Sequence, residues 1–298
     1  MAVMPAAVLM ILAALLFATM GVTVKLASAL YSTGEIVFYR GLVGALTMAL
    51  LARWQEERLR TAVPGMHFSR SITGVAALML WFYALGNLPL ATAVTLNYMS
   101  SVWMALFLLG GAVLLGSARV DGRLVLSVLV GFVGVGLILR PTIAHNQLWH
   151  GLAGLLSGLL SAMAYLQVTS LGRAGEPEVR VVFYFSFGGM LAGALVASVE
   201  GWHAHTLAGA GLLLATGLLA TIAQLMMTRA YAIGRPLVNA SLQYLGIVFS
   251  FGYGVWLFDD PVTALALGGM VLIVLAGVVA SRLRSEAAPQ SNTPTSES

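Results

Sequence analysis

The chain has 298 residues, 59% of them hydrophobic and only 9% charged. A soluble domain is about a quarter charged, so a water-facing globular fold is excluded and a polytopic membrane protein is expected. The absence of cysteine removes a disulfide framework and a thiolate metal site, while the net charge of +4 leaves membrane topology and nucleic acid as competing explanations.

A span needs about 20 apolar residues to cross about 30 Å of hydrocarbon. Ten segments qualify, at about 4–28, 34–53, 68–87, 90–114, 122–140, 148–171, 179–199, 206–230, 236–258 and 261–283. The first has no preceding positive charge and is too long for a signal h-region, so it reads as a span. Residues 285–298 are polar and read as a disordered cytoplasmic tail. With the N-terminus in the cytoplasm, Arg53, Arg58, Arg60, Arg70, Arg119, Arg123, Arg173, Arg180, Arg229, Arg235, Arg282 and Arg284 all fall on the cytoplasmic side. This positive-inside pattern puts both termini inside, in an inner (plasma) membrane. Basic residues scattered over so many segments do not form a nucleic-acid face.

Two stretches repeat one another. Residues 83–99 read YALGNLPLATAVTLNYM and residues 231–245 read YAIGRPLVNASLQYL. Val37-Phe38-Tyr39-Arg40 likewise matches Val182-Phe183-Tyr184-Phe185. An offset of about 146 residues is too long for a solenoid and fits a duplicated half. The expected fold is therefore an all-α membrane protein of ten transmembrane helices. Residues 1–141 form one five-helix repeat and 147–284 a second. Five is odd, so the second repeat enters from the opposite side, giving two inverted repeats around a central cavity, as in secondary carriers. Gly154-xxx-Gly158 and Gly189-xxx-Gly193 permit close helix packing, within the chain or at a dimer face.

No span carries a carboxylate near its middle: Glu35, Glu200, Asp259 and Asp260 stand at span ends. This argues against a central-carboxylate cation antiporter and against paired-carboxylate catalysis. No nucleophile–base set or phosphate-cradling loop is present, so no enzyme and no cofactor is expected. The five histidines fall in or beside polar loops, where solvated residues are a better account than metal ligands. Arg40 lies about six residues, or roughly 9 Å, into the second span. It either snorkels or contacts a substrate carboxylate; Lys25 poses the same choice. The neutral polar residues are more informative. Asn97 and Ser101, four apart, share a helix face, as do Thr221, Gln224 and Thr228. A buried amide without a partner is costly in hydrocarbon, so these faces meet other helices or a polar cavity. With Trp81, Tyr83, Tyr98, Tyr165 and Gln243 they suggest an aromatic, uncharged cavity suited to neutral or zwitterionic solutes. Pro89 and Pro236 are candidate hinges.

ALLFATMGVTVKLAS (14–28), FYRGLVGAL (38–46), the two repeated stretches, GFVGVGLIL (131–139) and residues 268–279 together resemble the drug/metabolite transporter superfamily, in its ten-span EamA-type branch. In that resemblance Lys25 and Arg40 stand at the family's lysine and arginine. Phe17-Ala18 replaces a frequent tryptophan, and Ser117-Ala118 an acid. The resemblance implies a basket-like bundle that exports or exchanges small metabolites. The chain looks most like the YddG-type exporters of aromatic and other amino acids. The expectation is a carrier that moves amino acids outward by alternating access and functions as a monomer among membrane lipids. Exchange of phosphorylated sugars would want several cations in the cavity, a multidrug exporter would want a buried acid, and a channel is the non-carrier reading.

Overall fold

The computed structural model describes residues 4–114, 126, 129–131, 133–134, 137 and 147–286. Helices α1 (Ala6–Ala27), α2 (Thr33–Trp54), α3 (Pro64–Asn87), α4 (Leu90–Tyr98) and α5 (Ser100–Leu114) come first. After them come α6 (Leu148–Arg173), α7 (Glu178–Glu200), α8 (Leu207–Ile233), α9 (Pro236–Leu242), α10 (Leu245–Phe258) and α11 (Ala264–Glu286). Among the described residues, eight segments are long and apolar enough to cross a membrane: 6–27, 33–54, 64–87, 90–107, 148–173, 178–200, 207–233 and 238–258. A further apolar run, Leu267–Ala276, is shorter. The chain is thus an all-α, multi-pass membrane protein. The expected fifth span lies mostly outside the described residues, as does the expected tail beyond residue 286.

The surface confirms the solvent. Leu50, Phe68, Leu195, Val199, Leu207 and Trp256 are all exposed, an arrangement that suits lipid rather than water. Helices cannot associate by the hydrophobic effect in lipid, so close packing and small residues hold them together. The most extensive pairings are α2 with α7, α1 with α8, and α3 with α6. At the first, a side chain on Gly41 would strike the backbone of Ser186 and Met190, and one on Gly193 would strike that of Phe38. Gly154 abuts Leu96, and Gly158 lies against the carbonyls of Leu96 and Asn97. Three glycines of the two GxxxG runs, Gly154, Gly158 and Gly193, therefore sit at contacts within the chain.

Helix starts follow local chemistry. Ser32 and Glu35 form a capping box on α2, and the Thr206 hydroxyl accepts from the Gly209 amide at 3.0 Å, satisfying donors that a helix start leaves orphaned. Pro89 and Pro236 stand at the starts of α4 and α9. A missing N–H costs nothing there, so the two prolines stand at the junctions α3–α4 and α8–α9 rather than inside a helix. The interior breaks lie further along.

The expected fourth span is broken at Met99 and the ninth at Gln243-Tyr244. Val102 N donates to Met99 O at 2.9 Å and Gly246 N to Gln243 O at 2.8 Å, both i to i+3 bonds. Met99 (φ −54°, ψ −14°) and Tyr244 (φ −60°, ψ −20°) are close to 3₁₀ dihedrals. A tightened turn in mid-helix often marks a functional position. The first break directly follows Asn97-Tyr98, and the second falls on the matching pair Gln243-Tyr244 of the repeated stretch.

Candidate functional site

A buried cavity opens beside the two breaks. It is lined by Phe17 from α1, Arg40 from α2, and Arg70, Gly74, Ala77, Leu78 and Trp81 from α3. Asn97 and Tyr98 from α4, Ser161, Ala164 and Tyr165 from α6, Phe185 from α7, Gln224 and Met227 from α8, and Gln243 complete it. Its water-accessible volume is about 50 Å³, room for a few waters.

Seven expected site residues meet there: Arg40, Trp81, Asn97, Tyr98, Tyr165, Gln224 and Gln243. Two do not. Ser101 is buried and donates to the Ala240 carbonyl at 2.9 Å, because the tightened turn at Met99 rotates it off the Asn97 face. Tyr83 is 40% exposed, near the end of α3, with its ring against His150. Its counterpart in the repeated stretch, Tyr231, is fully buried and stacks on Tyr165 at 5.3 Å.

The amides are held differently. Asn97 Nδ2 donates to Ser157 Oγ at 2.9 Å and Ser161 Oγ at 3.2 Å, tying the first break to α6. Gln243 Nε2 points to Met227 Sδ at 3.7 Å, a weak acceptor. Trp81 packs edge-on against Phe17 at 6.4 Å.

The expectation of an uncharged cavity does not hold. Arg70, expected among the cytoplasmic basic residues, lies inside α3, is 3% exposed, and lines the cavity with Arg40, also 3% exposed. The guanidinium of Arg40 stands 5.0 Å from the centre of the Phe185 ring and that of Arg70 4.2 Å from the same centre. No carboxylate lines the cavity among the described residues. The signal for Arg70 was in the sequence: a side chain on Gly74, four residues on, would overlap its guanidinium. Gly74 thus gives Arg70 a bed along its own helix, directed into the membrane and away from the α3 start.

Polar clusters stand outside the cavity lining, at helix ends. At the end where α1 finishes, Lys25 Nζ lies 3.1 Å from Asp260 Oδ1 and donates to the Leu88 carbonyl at 3.1 Å. Asp260 Oδ2 accepts from the Leu90 amide at 2.7 Å. At the same end Glu35 receives His203 Nδ1 at 2.6 Å. At the end where α3 begins, Glu176 meets His67 Nε2 at 2.9 Å, Arg180 at 3.0 Å and the Thr61 hydroxyl at 2.9 Å. Burial alone would raise the Glu176 carboxyl, but the bonds from His67, Arg180 and Thr61 outweigh it and hold the group below its ordinary value. His203 is exposed in its loop, as expected, and adds a bond to Glu35; His67, expected in or beside a polar loop, is instead buried within α3 against an acid.

Residues 4–140 match the EamA-like transporter family. The pseudopaline exporter CntI of Pseudomonas aeruginosa is 35% identical over 282 residues, covering 93% of this chain and 95% of that one. The chain belongs to the EamA-like transporter family. An uncharacterised transporter of Helicobacter pylori is 26% identical over 91% of this chain and 92% of its own. A solved crystal structure with 18% identity superposes with a TM-score of 0.68, covering 95% of this chain and 99% of that one, which speaks to fold alone. The family is one of transporters.

Proposed function

We propose that this chain is a secondary carrier of the inner membrane that exports amino acids or amino-acid-like metabolites by alternating access. The observation that carries the proposal is one polar cavity, lined from both the first and the second half of the chain. Three features support reading the halves as two inverted five-helix repeats, 1–141 and 147–284. The pairing of α1 with α8 is matched by that of α6 with α3, as exchange of the halves requires. The breaks at Met99 and Gln243-Tyr244 fall next to one another when the repeated stretches are aligned. Arg40 rests on Phe185, its own counterpart. In such a design, alternate opening at the Lys25–Asp260 end and the His67–Glu176 end exposes the cavity to each side in turn. A cavity of this size must widen to admit a metabolite, which fits a carrier between open states better than a pore.

The second reading, exchange of a phosphorylated solute, is favoured by Arg70 standing beside Arg40. The relative named for pseudopaline, rather than an aromatic amino acid, weakens the aromatic subtype without touching the carrier mechanism.

Counterflow in proteoliposomes tests the carrier. Unlabelled solute inside should accelerate entry of labelled amino acid, and a rate independent of trans solute would indicate a channel. The inverted arrangement and cytoplasmic termini are tested by labelling. The chain has no cysteine, so Asn87→Cys and Arg235→Cys give single reporters, expected to react from opposite sides, Arg235→Cys from the cytoplasm. Reaction from the same side would remove the basis for alternating access.

A further inference from the structure

Arg40 and Arg70 raise a question that the carrier reading leaves open. A lone arginine at the centre of a span costs about 2.5–3.5 kcal/mol on insertion scales, and escape to the interface is the usual relief. Arg70 begins only six residues after Pro64, so the near interface is in reach. It nevertheless lies over Gly74, further into the span, with its guanidinium on Phe185. Its Nε and Nη1 and the Nε of Arg40 are buried without a hydrogen-bond partner. The two guanidinium carbons share one aromatic ring, so they are no further apart than the sum of their distances to it, and like charges so placed repel.

Cation–π contact with one ring relieves this only in part, since it is worth about 0.5–2 kcal/mol. Guanidinium groups present planar forks that match the oxygens of carboxylates and phosphates. Two forks converging on a cavity without an acidic residue among the described ones lack two negative charges.

We propose that the cavity takes a small organic anion with two negative charges, whose acidic groups are held by Arg40 and Arg70. Asn97, Gln224 and Gln243 then meet its neutral polar parts, and Trp81 and Tyr165 its apolar body. The inference rests on the carrier mechanism and replaces the amino-acid substrate of that reading with a dianion: a zwitterionic aromatic amino acid would leave one guanidinium uncompensated and is a poor ligand.

Thermal unfolding of the purified, full-length protein in detergent tests this independently of transport. The probes are glutarate, glycerol 3-phosphate, glutaramide (the neutral counterpart of glutarate) and phenylalanine, each at up to about 10 mM, where a ligand of millimolar affinity gives a measurable shift. Glutarate or glycerol 3-phosphate should raise the melting temperature, half-saturating at a concentration at least about tenfold lower than glutaramide or phenylalanine. Which of the two does so distinguishes a dicarboxylate from a phosphate ester. Arg40→Gln and Arg70→Gln should each abolish the shift, and Arg→Lys at either position should restore part of it. An equal response to glutaramide or phenylalanine, no response to either dianion, or a shift that survives both Arg→Gln changes would overturn the proposal. Counterflow of a neutral or zwitterionic solute combined with a failed dianion test would leave the carrier standing and remove only this inference.

Discussion

Lys25 and the pair Arg40–Arg70 are cations in the same membrane bundle, and the protein treats them in opposite ways. Lys25, at the end of α1, has an acid at 3.1 Å, a carbonyl at the same distance and the Phe258 ring 4.8 Å away. Arg40 and Arg70, deeper and 3% exposed, have one shared aromatic ring and no acid among the described residues. A cation with its partners supplied by the chain is a structural clasp. A cation denied them is held ready for a charge that comes from elsewhere, at a standing cost to the empty protein.

The largest expected effect is on transport. Arg40→Met or Arg70→Met should lower counterflow of an accepted solute at least tenfold, since each removes a charge-assisted contact worth about 1.5–3 kcal/mol, while membrane insertion is retained. Unchanged flux in both variants would place the arginines with the structural cations. Lys25→Met should instead act on stability: it strands Asp260, and because the pair is 18% and 14% exposed the loss should be about 1–3 kcal/mol, below the range for fully buried pairs. A double-mutant cycle with Asp260→Asn should give a coupling of about 0.5–3 kcal/mol. Coupling near zero would mean the clasp is incidental.

Gly74→Ala sharpens the contrast from within the cavity. The added methyl overlaps the Arg70 guanidinium and comes within 3.0 Å of the Phe185 ring. It should cost about 1–3 kcal/mol by overpacking and weaken solute binding by moving Arg70; normal binding would show that the bed on Gly74 is not needed. Acid should act on the Glu176 cluster. A carboxyl held below its ordinary value contributes stability that is present at neutral pH and is lost as pH falls through the lowered value. Unfolding of the wild type should therefore steepen below about pH 4, and Glu176→Gln should remove part of that dependence. The smallest effect belongs to Arg229→Gln. Its bond to Glu178 joins side chains 49% and 23% exposed, so about 0–1 kcal/mol is expected in an unfolding measurement.

The sequence made the spans legible because apolar length is a sum over many residues and tolerates local error. It also marked most of the cavity wall, because amides inside apolar helices have few places to go, whereas the breaks fall inside stretches that read as continuous spans. Ser101 was misplaced for a definite reason. The i, i+4 rule assumes a continuous α-helix, and the tightened turn at Met99 intervenes. Tyr83 was grouped with the other aromatics, but it stands near the end of α3 and is exposed, where tyrosine commonly belongs to the interfacial belt. Arg70 was the costliest miss. Near a span end, charge reads as interface, and only the glycine one turn further on shows that the side chain can turn inward.

The central claim is that the two cavity arginines are charges without a partner until solute arrives. The most direct measurement compares the unfolding of substrate-free Arg40→Met, Arg70→Met and Lys25→Met proteins in one detergent. Both arginine variants should be more stable than the wild type, by about 1–4 kcal/mol as when buried charges give way to apolar side chains, and Lys25→Met should be less stable. Destabilisation in all three would mean that Arg40 and Arg70 already have their partners, and the cavity would not be waiting for an anion.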